Sequence, residues 1–237
     1  MLADDSAHGA LPAYVQISEM IARDIEAGHL LVGDRLPPER AMAADIGVAV
    51  GTLRKALALL VTRGLIERRQ GSGNYIRHVD GADSIYAFFR LELKGGGGLP
   101  TAQTLSVAHM DKPDDLPAFG TSTRAFRFRR LRLLGNIPAA LEEIWLDGAC
   151  ADRIDTSEVS ESLYHFYKSK LGLWIARAED SISAAPVPGW TVDQFSPKAG
   201  DVVGFVERIA WDQHANPVEY SRNWFDPDVA AYVSRLK

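Results

Sequence analysis

LPPERAMAADIGVAVGTLRKALALLVTRGLIERRQGSGNYIR, residues 36–77, is the stretch whose pattern decides the fold of the first part of this chain. Leu53, Ala56, Leu57 and Leu60 recur at three- and four-residue steps, so residues 49–63 read as a helix with one apolar face. Pro37 and Pro38 open a preceding helix, since proline is tolerated in a first helical turn. Gly47 breaks that helix and Gly64 closes the next. Residues 65–69 and 74–77 read as short strands joined by Gln70-Gly71-Ser72-Gly73, a composition suited to a tight hairpin. Upstream, Tyr14, Ile17, Ile21 and Ile25 make an amphipathic stripe over residues 12–27, ended by Gly28.

If the apolar face of residues 49–63 packs inward, Thr52, Arg54 and Lys55 turn outward. Arginine can grip guanine or phosphate with two parallel bonds, and threonine can reach a phosphate or a thymine methyl. Arg40, on the preceding helix, is placed for the sugar-phosphate backbone. The hairpin offers charge and close backbone approach, as a minor groove demands. The candidate DNA contacts are therefore Arg40, Thr52, Arg54, Lys55, Arg69, Gln70, Gly71, Ser72 and Gly73. Any one of these arginines reads equally well as a solvated charge on a small helical core. The whole constellation reads as a helix for the major groove with a β-wing beside it.

The 237 residues allow two domains, and 46% hydrophobic with 24% charged residues is the composition of a soluble globular protein. No apolar run approaches the ~20 residues that span a bilayer, and the opening MLADDSAHGALPAY has no secretory pattern. The single Cys150 has no internal partner, so a reducing, cytoplasmic home is expected. The net charge of −5 is uneven: Lys and Arg outnumber Asp and Glu within residues 12–78, and the remainder is acidic. That asymmetry fits one part that meets phosphate and another that does not. The expected organisation is a disordered tail at 1–11, a winged helix-turn-helix domain at 12–78, a linker at 79–84 and a second domain at 85–237.

The second domain reads as strands with short intervening helices. Strands are expected at 103–109, 124–134 and 138–147, with Gly135-Asn136 turning the last two into a hairpin. An amphipathic helix is expected at 161–171, a strand at 173–184, a helix at 189–195, a hairpin of 202–212 with 217–225, and a short helix over 227–236. Such a mixture without regular alternation indicates an α+β fold with a mostly antiparallel sheet. Strand alternation puts Arg130 and Arg132 on one face, where they repel unless something anionic lies between them. Glu142, Glu143, Glu219 and Arg222 stand on neighbouring strands, and a plain salt-bridge ladder accounts for them as well as a ligand does. Gly95 to Gly98 lacks the Lys and Ser/Thr that follow in a phosphate cradle, so it reads as a loop. Scattered histidines and one cysteine give no metal-ligand spacing, and no cofactor is implied. Asp147, Asp152 and Asp155 read as a solvated loop.

LPPERAMA, IGVAVGTLRKAL and RGLIERRQGSGNYI, in that order, resemble the N-terminal winged helix of GntR-type bacterial transcription regulators over residues 12–78. The resemblance implies DNA contacts at Arg40, Thr52, Arg54, Gln70 and Gly71. Ala49 and Val50 depart from the family's usual Ser or Thr followed by Arg, and Ala49 forgoes a helix cap worth ~1 kcal/mol. ArgLeuArg, IPAALEEIWL, SLYHFY and NPVEYSRNWF are similar to the UTRA effector domain of the HutC branch over residues 84–235. That likeness implies a chorismate-lyase-like fold and an effector pocket lined by Arg130, Arg132, Glu142, Tyr164 and Glu219. It places Phe88 and Phe89 near the entrance, with Arg222 a further candidate. Paired arginines suit a carboxylate or phosphate. The expected protein is a non-enzymatic, homodimeric transcription regulator, in the repressor sense. It binds two half-sites of double-stranded DNA and responds to a small anionic metabolite, with no membrane partner. The alternatives are a chorismate-lyase-like enzyme fused to a DNA-binding head and a DNA-binding protein without an effector.

Overall fold

A computed structural model describes residues 12–26, 30, 33–77, 88–96 and 100–234. The chain divides into two compact units, with the break between Arg90 and Leu91. The expected tail at 1–11, the linker at 79–84 and the capping Gly28 lie outside the described residues.

In the N-terminal unit, α1 (Ala13–Glu26), α2 (Glu39–Ile46) and α3 (Val50–Thr62) precede an antiparallel hairpin of β1 (Ile66–Arg69) and β2 (Gly73–Ile76). The apolar stripes read from the sequence are the core: Ile17, Ile21, Leu53, Leu57, Leu60, Ile66 and Ile76 are all buried together. Burial of each large aliphatic side chain stabilises by about 1.5–3 kcal/mol, which is what holds so small a unit. Gly47 ends α2 in the left-handed region at φ 78°, and Val48 N–H then bonds the Ala43 carbonyl at 2.9 Å. This is a tight exit that a side chain would strain. α3 starts at Val50 with Ala49 as its N-cap, and no side chain caps it.

In the C-terminal unit one six-stranded antiparallel sheet dominates. Its strands are β4 (Pro100–Asp111), β5 (Arg124–Leu134), β6 (Ile137–Asp147), β7 (Ile175–Pro186), β8 (Val202–Asp212) and β9 (Pro217–Phe225), in the order β4-β5-β6-β9-β8-β7. The β5–β6 turn carries positive φ at both Gly135 (55°) and Asn136 (68°), the pattern whose twist suits a two-residue hairpin. A separate pair joins β3 (Leu91–Leu93) to β10 (Ala230–Tyr232).

At its central strands the sheet is covered on both faces. On one, Leu131, Leu141, Phe205 and Trp224 pack against Val187 and Phe195 from the connection before β8. Beside them Trp145 and Tyr220 pack against Phe119. Alternation sends Phe128, Arg130 and Arg132 to the other face. There they meet α4 (Leu163–Phe166), whose Ser162 accepts from His165 N–H as an N-cap, and the single π turn Tyr167–Leu171 that continues it.

Several expectations need correction. Residues 189–195 form turns, not a helix: Phe195 is fully buried and anchors the segment as a loop. Residues 227–229 form a turn and 230–232 a strand, because pairing with the unforeseen β3 overrides local helical preference. The helix expected over 161–171 is one α turn followed by a π turn. Asp147 is buried, not solvated. Its carboxylate accepts from Lys112 Nζ at 2.8 Å and from the backbone N–H groups of Thr121 (2.9 Å) and Ser122 (3.1 Å), tying the 113–122 connection to the end of β6.

Candidate DNA surface and effector site

The head presents its basic side chains as the helical spacing requires. With Leu53, Ala56, Leu57 and Leu60 facing inward, Arg54 and Lys55 are exposed and Thr52 is half-buried on α3. Ala49, Gly51 and Ala58 are exposed around them, so the outer face of the helix is smooth apart from its two cations. Arg40 is exposed on α2. Arg54 Nε donates to Glu39 Oε2 at 2.6 Å, while Arg68 Nη2 reaches Glu39 Oε1 at 3.5 Å. One carboxylate at the start of α2 thus holds both the recognition helix and the wing. It engages only the Nε edge of Arg54, and neither terminal nitrogen of Arg54 has a partner among the described residues. Arg69, Gln70 and Gly71 are exposed at the wing tip, and Ser72 and Gly73 are half-buried behind them.

The second site is built on the α4 face of the sheet. Arg130 on β5 stands opposite Glu142 on β6, and Glu142 stands opposite Asn223 on β9. Arg130 is 2% exposed, and Arg132 and Glu142 are each 5% exposed. Arg130 donates from Nε (2.9 Å) and Nη2 (2.6 Å) to Glu142 Oε2. Arg132 donates from Nε to Oε1 (2.9 Å) and from Nη2 to Oε2 (3.1 Å) of the same carboxylate. The anion expected between the two guanidiniums is therefore Glu142 itself. One carboxylate thus serves two buried guanidiniums.

Next to it, Glu219 is 2% exposed and accepts from Tyr164 Oη at 3.0 Å and Tyr167 Oη at 2.8 Å. Sequence reasoning missed Tyr167, although it lies one helical turn from Tyr164. It also missed Arg208 and Asp180, which pair in a fork at 2.5 and 2.6 Å. Arg208 also bonds Tyr164, so this ion pair continues the same polar layer. Tyr232 Oη donates to Asp180 Oδ2 at 2.5 Å, anchoring β10 to it. Strand alternation puts Arg208 on the same face as Ser221, its partner in register and the residue two on from Glu219. That cross-strand relation cannot be read along the chain.

One candidate of this unit, Arg222, falls outside this cluster. Arg222 pairs in register with Glu143, not Glu142, so it lies on the opposite face. There Arg222 Nη1 bonds Asp115 Oδ2 at 2.8 Å and its Nε bonds Tyr220 Oη at 3.3 Å. A groove of about 460 Å³ opens on that opposite face, lined by Asp115, Leu116, Glu179, Ser181, Glu207 and Tyr220 among others. Its lining carries the carboxylates of Asp115, Glu179 and Glu207 together with Arg208. Phe88 and Phe89 are half-buried and belong to the N-terminal unit.

Electrostatics separate the two acids of the cluster. Burial alone would raise the Glu142 carboxyl, but Arg130 and Arg132 outweigh it and hold it at about 2. Glu219 moves the other way, because burial raises it and the hydroxyls of Tyr167 and Tyr164 offset that only in part. Burial, then Glu219, push both tyrosines well above the ordinary phenol range. The stability that Glu142 contributes is fully present above its unfolded value near 4.5. It is lost as pH falls from there through about 2. Acid titration of unfolding free energy should therefore show a decline in that window that Glu142→Gln removes. An unchanged profile in that variant would contradict the assignment.

Residues 13–76 match the bacterial regulatory proteins of the gntR family, and residues 96–230 match the UTRA domain. The chain is similar to the HTH-type transcriptional regulator SmoD of Agrobacterium fabrum, with 56% identity over 97% of this chain and 98% of that one. It is also similar to the mannosyl-D-glycerate transport/metabolism system repressor MngR of Escherichia coli, with 27% identity over 93% and 94%. In fold it resembles YydK of Bacillus subtilis at a TM-score of 0.53 and 20% identity, covering 96% of this chain and all of that one. No described helix is long and apolar enough to cross a membrane. The exposed recognition helix and wing, followed by a sheet domain with a buried polar layer, thus belong to a member of the GntR family of the HutC type, a DNA-binding transcription regulator with a UTRA effector domain.

Proposed function

We propose that the protein is a cytoplasmic, homodimeric repressor whose release from its operator is driven by a small anionic metabolite. Arg40, Thr52, Arg54, Lys55 and the wing residues 69–73 would make the DNA contacts. One recognition helix reads only a few base pairs, and a two-fold dimer would read two half-sites about one helical turn apart, which supports two copies. The repressor sense is supported by the names of relatives such as MngR.

The observation that carries the effector reading is the buried cluster in which Arg130 and Arg132 share the single carboxylate of Glu142. Two planar guanidiniums side by side in a buried place favour a carboxylate or phosphate. Glu219, Tyr164 and Tyr167 supply acceptors and hydroxyls next to it for the neutral, hydroxyl-bearing part of such a molecule. MngR is named as the repressor of a mannosyl-D-glycerate transport/metabolism system, and a glycerate carries a carboxylate, which agrees with this chemistry. The enzymatic alternative rests on likeness of fold alone, which does not carry activity.

The test is a melting-temperature screen of the full chain against sugar phosphates and sugar acids, followed by anisotropy titration of its upstream DNA. A hit should weaken DNA binding by roughly 5- to 150-fold, the usual span of allosteric coupling. Arg132→Gln should abolish that response while leaving ligand-free DNA binding as in the wild type. A response of normal size in Arg132→Gln would sink the pocket assignment.

A further inference from the structure

Three contacts converge on Tyr75 in the wing. Its hydroxyl shares a 2.6 Å hydrogen bond with Ser72 Oγ. The Arg69 guanidinium carbon lies 4.3 Å from the centre of its ring. Its backbone forms an isolated antiparallel bridge with Arg35, extending the two-stranded hairpin. The register explains the stacking: Tyr75 stands opposite Glu67, so Arg69 is its diagonal neighbour on the same face, within reach of an aromatic ring. Glu67 Oε1 accepts from Arg69 Nε at 3.3 Å and steadies the guanidinium from the other side.

We propose that Tyr75 is a positioning residue for DNA binding: its ring holds Arg69 and its hydroxyl holds Ser72, so that residues 69–73 are ordered before DNA arrives. The inference rests on the wing assignment made above. A two-stranded hairpin with a glycine-bearing tip is otherwise adaptable. A long arginine side chain that is free in solution loses its rotamer freedom on binding, and that ordering weakens association by roughly 3- to 10-fold for each such side chain. Tyr75 makes part of that ordering before the encounter.

The test uses the full chain and a duplex of its upstream region, titrated by fluorescence anisotropy at several salt concentrations. Tyr75→Leu is expected to weaken binding by roughly 3- to 10-fold with no change in the slope of log affinity against log salt, because Arg69 still reaches its phosphate. Arg69→Ala, by contrast, should reduce that slope by about one for each protomer. Tyr75→Phe and Ser72→Ala should each weaken binding. The double variant should bind no worse than the weaker single one, since both changes remove the same bond. Tyr75→Phe keeps the ring and the fold, so it decides the matter if Tyr75→Leu loses melting temperature. Wild-type affinity in both Tyr75 variants, or fully additive losses in the double variant, would overturn the proposal. If Arg54→Ala and Arg69→Ala were silent as well, the DNA surface itself would be misassigned. Silence at Tyr75 alone would remove only this step.

Discussion

Glu142→Ala lowers the stability of the C-terminal unit by about 3–5 kcal/mol, the cost of leaving buried guanidiniums without their counter-charge. Glu142 receives all four of the short Arg130 and Arg132 bonds described above. Its removal leaves two like charges on adjacent positions of one strand face, each nearly shielded from water. Total stabilities of folded domains are about 5–15 kcal/mol, so the loss is a large fraction of the whole. At about 2–4 °C per kcal/mol for a protein of this size, the melting temperature falls by roughly 6–20 °C. A second variant separates charge from packing. Replacing Arg130, Glu142 and Arg132 together by Met, Leu and Met should recover much of the loss, since well-packed apolar residues can replace a buried ionic triad. Thermal unfolding followed by circular dichroism measures both. Wild-type stability in Glu142→Ala would mean that water already reaches the arginines.

Arg54→Ala is the other large effect, and it acts on DNA affinity. A bidentate arginine–guanine contact discriminates by about 1–3 kcal/mol. The proposed two-fold dimer would make it twice, so affinity for the operator is expected to fall by about 30-fold to 10⁴-fold. Binding to unrelated duplex falls far less, because only a phosphate-level attraction is lost there. Anisotropy titration against the upstream region and against a shuffled duplex checks both arms. Equal weakening on the two duplexes would make Arg54 a phosphate contact, and no weakening would remove α3 from the interface. Glu39 enters the same experiment: it grips the Nε edge of Arg54 at 2.6 Å, so its position sets how the terminal nitrogens are presented.

Much of this was legible along the chain. The helical stripe of Leu53, Ala56, Leu57 and Leu60 fixes which side of α3 is buried, and hence that Arg54 and Lys55 are exposed. Gly47, and the pair Gly135-Asn136, mark turns because the backbone there needs left-handed angles. These are signals of period and local sterics, and both act within a few residues. The expected helices at 189–195 and 227–236 failed for a non-local reason. Phe195 is buried under the sheet, and residues 230–232 pair with β3 from the other end of the domain.

The sequence by itself determined a three-helix head with a wing, an antiparallel body, and two arginines pointing to one side of a strand, since each follows from repeat spacing and turn chemistry. Only the tertiary structure decided that Glu142 fills the gap between those arginines, that Arg222 lies behind the sheet, and that Arg208 and Asp180 join Glu219 and Tyr164. The reason is geometric: strand order and register bring together residues far apart in the chain, and a shift of one position in register would turn every one of these charges to the opposite face.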